Sequence, residues 1–236
     1  MSNITEKFFN SKEELTAALA LDIEQRIVAG ITKDNRAVIC VSGGSSPKPA
    51  YQHLSELPLA WEKVDVVMVD ERWVEPSHDK SNETFIKQTL LQNEAEKANF
   101  LPMKNSQSSA FEGQAECENA FQALKQPFDI TILGMGPDGH TASLFPHAQG
   151  LETALSTNNL VCAIEAIPSK VTGDITQRMS LSLHGIKQSK VIKLLISGEE
   201  KLSVYKQAKL SGNVEDMPLR AVLNQTDVEV QVYWAP

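Results

Sequence analysis

The segment Gly134-Met-Gly-Pro-Asp-Gly-His-Thr-Ala-Ser143 places a carboxylate, Asp138, and an imidazole, His140, in a turn that holds three glycines. Glycine accepts positive φ without steric cost, so such a turn can bend sharply and bring backbone close to a ligand. The preceding Ile130-Thr-Ile-Leu133 reads as a buried strand, and Thr141 to Phe145 reads as a short helical turn. Open α/β sheets bind ligands where a strand opens through a glycine turn into a helix. A plain connection needs one glycine and neither ionisable group, so this segment reads as a site. Histidine, with an unperturbed pKa of about 6.5, can both accept and return a proton near neutrality.

Other groups with chemical potential follow other strands. Ser42-Gly-Gly-Ser-Ser-Pro47 lies between an apolar run and a helix, where the N–H groups of Gly43, Gly44 and Ser45 form a nest suited to phosphate. It lacks the Gly-Lys-Ser/Thr of a Walker loop and the Gly-x-Gly-x-x-Gly of a dinucleotide site. Val69-Asp-Glu-Arg-Trp73 ends a strand, and its three consecutive charges, Asp70, Glu71 and Arg72, put at least one side chain at the sheet's carboxyl edge, although taken alone they read as a solvated strand end with an internal ion pair. Ser81-Asn82 is explained by helix capping. Lys201 falls in the first turn of a helix, where a cation opposes the dipole, which raises the question of what anion it meets, although taken alone it and Arg178 read as ordinary surface cations. Arg178 precedes the short run Met179–Leu183. No paired His/Cys or His/carboxylate cluster suggests a metal, and no cofactor is expected.

These groups need a frame with several strand ends on one edge. Ala37–Val41, Val64–Val69, Asp129–Leu133, Leu160–Ile164, Val191–Ile196 and Val228–Tyr233 read as strands, and the near-continuous apolarity of several fits parallel strands covered on both faces. The last alternates, as an edge strand would. Ser11-Lys-Glu-Glu14 is a capping box before Leu15, Leu19, Ile23 and Ile27 at helical spacing. Further helices are expected over Pro47–Leu57 (with Ser46 as its cap), Ser81–Gln92, Glu112–Gln126 and Glu199–Ala208, and residues 102–110 read as a surface loop. The alternation predicts an α/β fold: a right-handed doubly wound, mostly parallel central sheet with helices on both faces, in one domain over residues 1–236.

Composition narrows the partners. A net charge of −8 without a Lys/Arg run argues against nucleic acid, and means an anionic ligand must meet locally placed cations. No run approaches the roughly 20 apolar residues of a membrane span, and no export signal is legible. The cytoplasm is the expected location, and a monomer or weak homodimer the expected state. The three scattered cysteines, Cys40, Cys117 and Cys162, form no disulfide framework.

Taken in order, the Gly-Gly-Ser loop, Asp-Glu-Arg with Ser81-Asn82, the segment Gly134–Pro146, Arg178 and Gly198-Glu-Glu-Lys201 resemble 6-phosphogluconolactonases and, more broadly, their superfamily with glucosamine-6-phosphate deaminases and ribose-5-phosphate isomerases, which implies a modified doubly wound, mostly parallel central sheet. The resemblance implies hydrolysis of 6-phospho-D-glucono-1,5-lactone in the oxidative pentose phosphate pathway. It implies His140 as general base and then acid, Asp138 or Asp70 orienting it, and Arg72 meeting charge on the lactone carbonyl or the sugar hydroxyls. Gly43, Gly44, Ser45, Arg178 and Lys201 would hold the 6-phosphate. In deaminases a Glu supports the histidine where this chain has Phe145, which favours the lactonase. The alternatives are an amino-sugar-phosphate isomerase or deaminase with Asp70 as carbon base, and a sugar-phosphate sensor without catalysis.

Overall fold

A computed structural model describes residues 3–236. In chain order the elements are β1 (Ile4–Phe8), α1 (Lys12–Asp34), β2 (Ala37–Val41), α2 (Lys48–Ser55), β3 (Val64–Met68), β4 (Asp70–Arg72), α3 (Asn82–Thr89), β5 (Asn99–Leu101) and α4 (Ala110–Gln122). They continue with β6 (Ile130–Gly134), α5 (Leu151–Ser156), β7 (Val161–Glu165), β8 (Gln177–Leu181), α6 (Leu183–Lys187), β9 (Ile192–Ser197), α7 (Gly198–Ala208), α8 (Leu219–Asn224) and β10 (Val230–Ala235). Seven strands form a parallel sheet in the order β1-β10-β9-β6-β2-β3-β5. A second, antiparallel sheet has the order β4-β8-β7.

Both faces of the large sheet are covered. On β1, Lys7 reaches the Tyr233 hydroxyl, which also bonds Asp22 of α1, whereas the adjacent Glu6 accepts from Tyr205 and Lys209 at α7. Neighbouring residues of a strand point to opposite faces, so α1 and α7 lie on opposite sides. Helix α1 is capped by Ser11, whose hydroxyl accepts from Glu14 N–H, and it buries the expected Leu15, Leu19, Ile23 and Ile27. Each of these apolar side chains, fully buried, contributes roughly 1.5–3 kcal/mol.

Several sequence expectations need correction. Strand β10 is internal; its alternation comes from polar Gln231 beside the buried Lys193 amine, which Gln231 and Asp22 satisfy, while β1 takes the edge. The run Leu160–Ile164 joins the small antiparallel sheet, where Glu118 and Gln114 of α4 accept from its outward N–H groups at Leu160, Val161 and Ala163. Ser46 does not cap α2: the helix begins after Pro47 with no side-chain cap. Thr141–Phe145 is a series of turns rather than helical, and the next helix is α5. Among the described residues no helix is long and apolar enough to cross a membrane.

Candidate active site

The sheet order reverses between β2 and β6: the chain runs from β2 towards β3 and β5, but from β6 towards β9 and β10. The loops leaving these two strands diverge at their carboxyl ends and open a crevice, the usual ligand position in such sheets. A cavity of about 340 Å³ occupies it, lined by Gly43, Gly44 and Ser45 after β2, Asp70 and Arg72 of β4, Gly136 and His140 after β6, and Lys201 of α7. Parallel pairing therefore unites groups separated by more than 150 residues. Asp70 and Arg72 arrive because Val69 bonds both sheets, accepting from Leu181 N–H and donating to Val41 O, so the chain steps from β3 into β4 without a loop.

The catalytic-looking pair is local. His140 Nδ1 lies 2.5 Å from Asp138 Oδ1, which also accepts from the His140 backbone N–H at 3.2 Å. Burial opposes the Asp138 charge, but the His140 hydrogen bond and charge outweigh it, and the carboxyl is held below its ordinary pKa. An ionised carboxylate only accepts, so Nδ1 carries the proton and Nε2 is the bare nitrogen of the neutral ring. The structure thus separates the two candidate partners: Asp138, not Asp70, holds the imidazole. The turn itself is tied by Gly136 N–H to His140 O, Gly139 N–H to Gly136 O and Thr141 Oγ1 to Gly134 O. Only Gly139 of its three glycines has positive φ, so φ does not explain the other two.

Asp70 belongs to a different network. Its Oδ2 accepts from Ser143 Oγ at 2.6 Å, and Asn82 Nδ2 donates to its carbonyl at 2.9 Å. Glu71, buried behind it, accepts from the N–H groups of Arg72, Asn82 and Glu83 and from Ser81 Oγ, fastening β4 to the start of α3. Asn82 therefore does more than open a helix: it lines the cavity, and a Cβ on Gly43 would overlap its carboxamide. Asn82, Ser143 and the apolar wall of Met135, Val171 and Leu195 were not singled out as site residues from sequence. Asn82 had a faint signal in its place beside a cap, whereas Val171 sits in a loop with none.

The cations divide. Lys201 lines the cavity half-buried, and burial pulls its amine pKa down against the pull of Glu200. Arg72 lines it too, with Nη1 donating to Lys80 O at 2.6 Å. Arg178, at 4% exposure, sits beneath the wall rather than on it. Its Nη2 donates to Thr172 O, and Nε and Nη1 are buried without a protein partner. Burial lowers its pKa to about 10, with Asp70 opposing. The three thiols are buried, and desolvation pushes Cys40 and Cys117 up to about 12 and Cys162 to about 11, which leaves them inert near neutrality.

Known proteins share this fold and much of this sequence. The family described as glucosamine-6-phosphate isomerases/6-phosphogluconolactonase matches residues 10–234. A 6-phosphogluconolactonase of Rhizobium meliloti is 37% identical over 230 residues, 97% of either chain. One from Pseudomonas aeruginosa is 33% identical over 228 residues, 97% of this chain and 93% of that one. The crystal structure of a 6-phosphogluconolactonase from Shewanella baltica superposes with a TM-score of 0.93 at 39% identity, covering 99% of this chain and 98% of that one. With family, relatives and structure in agreement over nearly its whole length, this chain belongs to the glucosamine-6-phosphate isomerase/6-phosphogluconolactonase family.

Proposed function

We propose that the chain, acting as one domain, hydrolyses 6-phospho-D-glucono-1,5-lactone to 6-phospho-D-gluconate, with His140 as general base. The observation that carries this is the Asp138–His140 pair, whose geometry leaves Nε2 as the proton acceptor of a ring that lines the cavity. Water gives its proton to Nε2 as its oxygen adds to the lactone carbonyl carbon. The tetrahedral oxyanion forms within reach of Arg72. Collapse breaks the bond to the ring oxygen, which takes the proton back from the imidazolium and leaves as the C5 hydroxyl. Asp138 stabilises the imidazolium between these steps. Nε2 is then bare again, and the acid product ionises in solvent.

The 6-phosphate sits against the Gly43–Ser45 N–H groups and Lys201. Gly44, at φ 102°, supports this role because anion-binding nests of successive N–H groups use a left-handed residue that glycine adopts without strain. Arg178 acts from behind as a fixed positive charge in this reading. The discriminating experiment compares lactone opening with glucosamine 6-phosphate turnover on purified protein. Lactone opening alone supports the proposal, and amino-sugar turnover alone overturns it.

Phosphate recognition has its own expected result. Lys201→Met raises KM for the phosphorylated lactone about tenfold or more, the effect of a lost charge-assisted contact of roughly 1.5–3 kcal/mol. Inhibition by inorganic phosphate weakens in parallel. Arg178→Lys, which keeps the charge in its buried place, is expected to raise KM less. Unchanged KM and unchanged phosphate inhibition in Lys201→Met would remove Lys201 from the phosphate site.

A further inference from the structure

Gly136 poses a question its backbone does not answer. It has no positive φ, so the conformation there is open to other residues. A Cβ built on it, however, would overlap Nδ1 and Cε1 of His140 and crowd Asp138 Oδ1. The imidazole therefore rests directly on the Gly136 backbone. A second contact comes from Phe145, whose ring centroid lies 4.2 Å from that of His140 at 35° between planes. Phe145 is itself buried, and its N–H and carbonyl bond Ser143 and Ala148, so the ring is anchored by its own turn.

From these contacts we infer that Gly136 and Phe145 form a slot that sets the place and tautomer of the His140 ring, making both positioning residues for the reaction. Asp138 alone cannot do this. A single hydrogen bond to Nδ1 leaves the ring free to swing about that bond, and a swing of about 1 Å at a reacting atom can cost on the order of 10²-fold in rate. The missing methyl at 136 lets Nδ1 come down to Asp138 Oδ1, and the Phe145 ring keeps it there. With Nδ1–H directed to the carboxylate, Nε2 stays bare. A histidine released from the slot would have no such bias. Neither slot residue is titratable, so a search for ionisable groups passes over both. This inference rests on the general-base reading only for its effect on rate, since the slot itself is a statement about the ring.

The test uses Gly136→Ala, which adds the methyl without straining the backbone, and Phe145→Leu, which keeps apolar volume but removes the ring. Phe145→Tyr, which keeps the ring, serves as the conservative rescue. Each is read by kcat, KM, melting temperature and ¹⁵N NMR of histidine-labelled protein, the His140 signals being assigned by their loss in His140→Ala. The expected result is a fall in kcat on the order of 10²-fold in Gly136→Ala, and a smaller fall in Phe145→Leu. KM stays within about twofold, because the phosphate contacts lie elsewhere. In both variants the His140 tautomer shifts from Nδ1–H towards Nε2–H, and Phe145→Tyr restores rate and tautomer together. A wild-type tautomer in Gly136→Ala and Phe145→Leu overturns the slot, whatever their turnover. If the tautomer shifts but His140→Ala retains turnover, the slot stands and the general-base proposal falls, so the two failures are distinguishable.

Discussion

His140→Ala is expected to lose kcat by on the order of 10²–10⁴-fold with KM nearly unchanged, because a proton relay acts in the transition state more than in binding. In the wild-type protein kcat/KM should fall in acid as the imidazole protonates, and this acid limb should vanish in the variant. Spontaneous lactone opening is base-sensitive and has to be subtracted from both. The rival account makes His140 a structural plug for the glycine turn. It predicts a lowered melting temperature with kcat intact. The turn's own bonds, Gly136 N–H to His140 O and Thr141 Oγ1 to Gly134 O, involve no imidazole atom, so the fold should survive the substitution. A folded variant with wild-type turnover and its acid limb would end the case for this residue.

Asp138→Asn should approach the same loss, on the order of 10²–10⁴-fold in kcat, although the ring remains. An amide can present either its oxygen or its NH₂ to Nδ1. In the second orientation Nδ1 must be bare, which puts the proton on Nε2 and removes the base. In either orientation the imidazolium loses its counter-charge. The pH dependence of stability gives an independent check. The Asp138 pKa is depressed in the folded protein, so its stabilising contribution is present above the unfolded carboxylate pKa and disappears as pH falls through the folded value. The melting temperature of Asp138→Asn should therefore lie below wild type near neutrality, and the two should converge at the acid end of that window. Partial exposure of this carboxylate screens the effect, so the kinetic loss should be the larger. A variant with full kcat would show that the bond to Nδ1 is dispensable.

Some of this protein is written locally and some is not. The α/β alternation, the buried strands β2, β3, β6 and β9, and the face of α1 follow from apolar spacing, because burial on both faces of a parallel strand leaves no room for polar alternation. The Asp138–His140 pair is equally local: two residues in one turn must be neighbours. Their hydrogen bond, by contrast, was undecided between Asp138 and Asp70, because both carboxylates reach the same edge and only packing separates them. The Asp70 carboxylate accepts from Ser143 Oγ and, at longer range, from Asn82 Nδ2, residues 73 and 12 positions away in sequence. Long-range packing also decided the place of β10, since whether it is an edge depends on β1 pairing beside it. It also buried Arg178, which stands in register with Arg72 across β8 and β4 and donates to Thr172 O, so that it does not line the cavity. Gly136 was legible as a glycine but not for its reason. Sequence alone suggests left-handed backbone there; in the folded chain a Cβ at 136 would instead overlap the imidazole that lies between it and Phe145, a contact that the local backbone pattern does not announce.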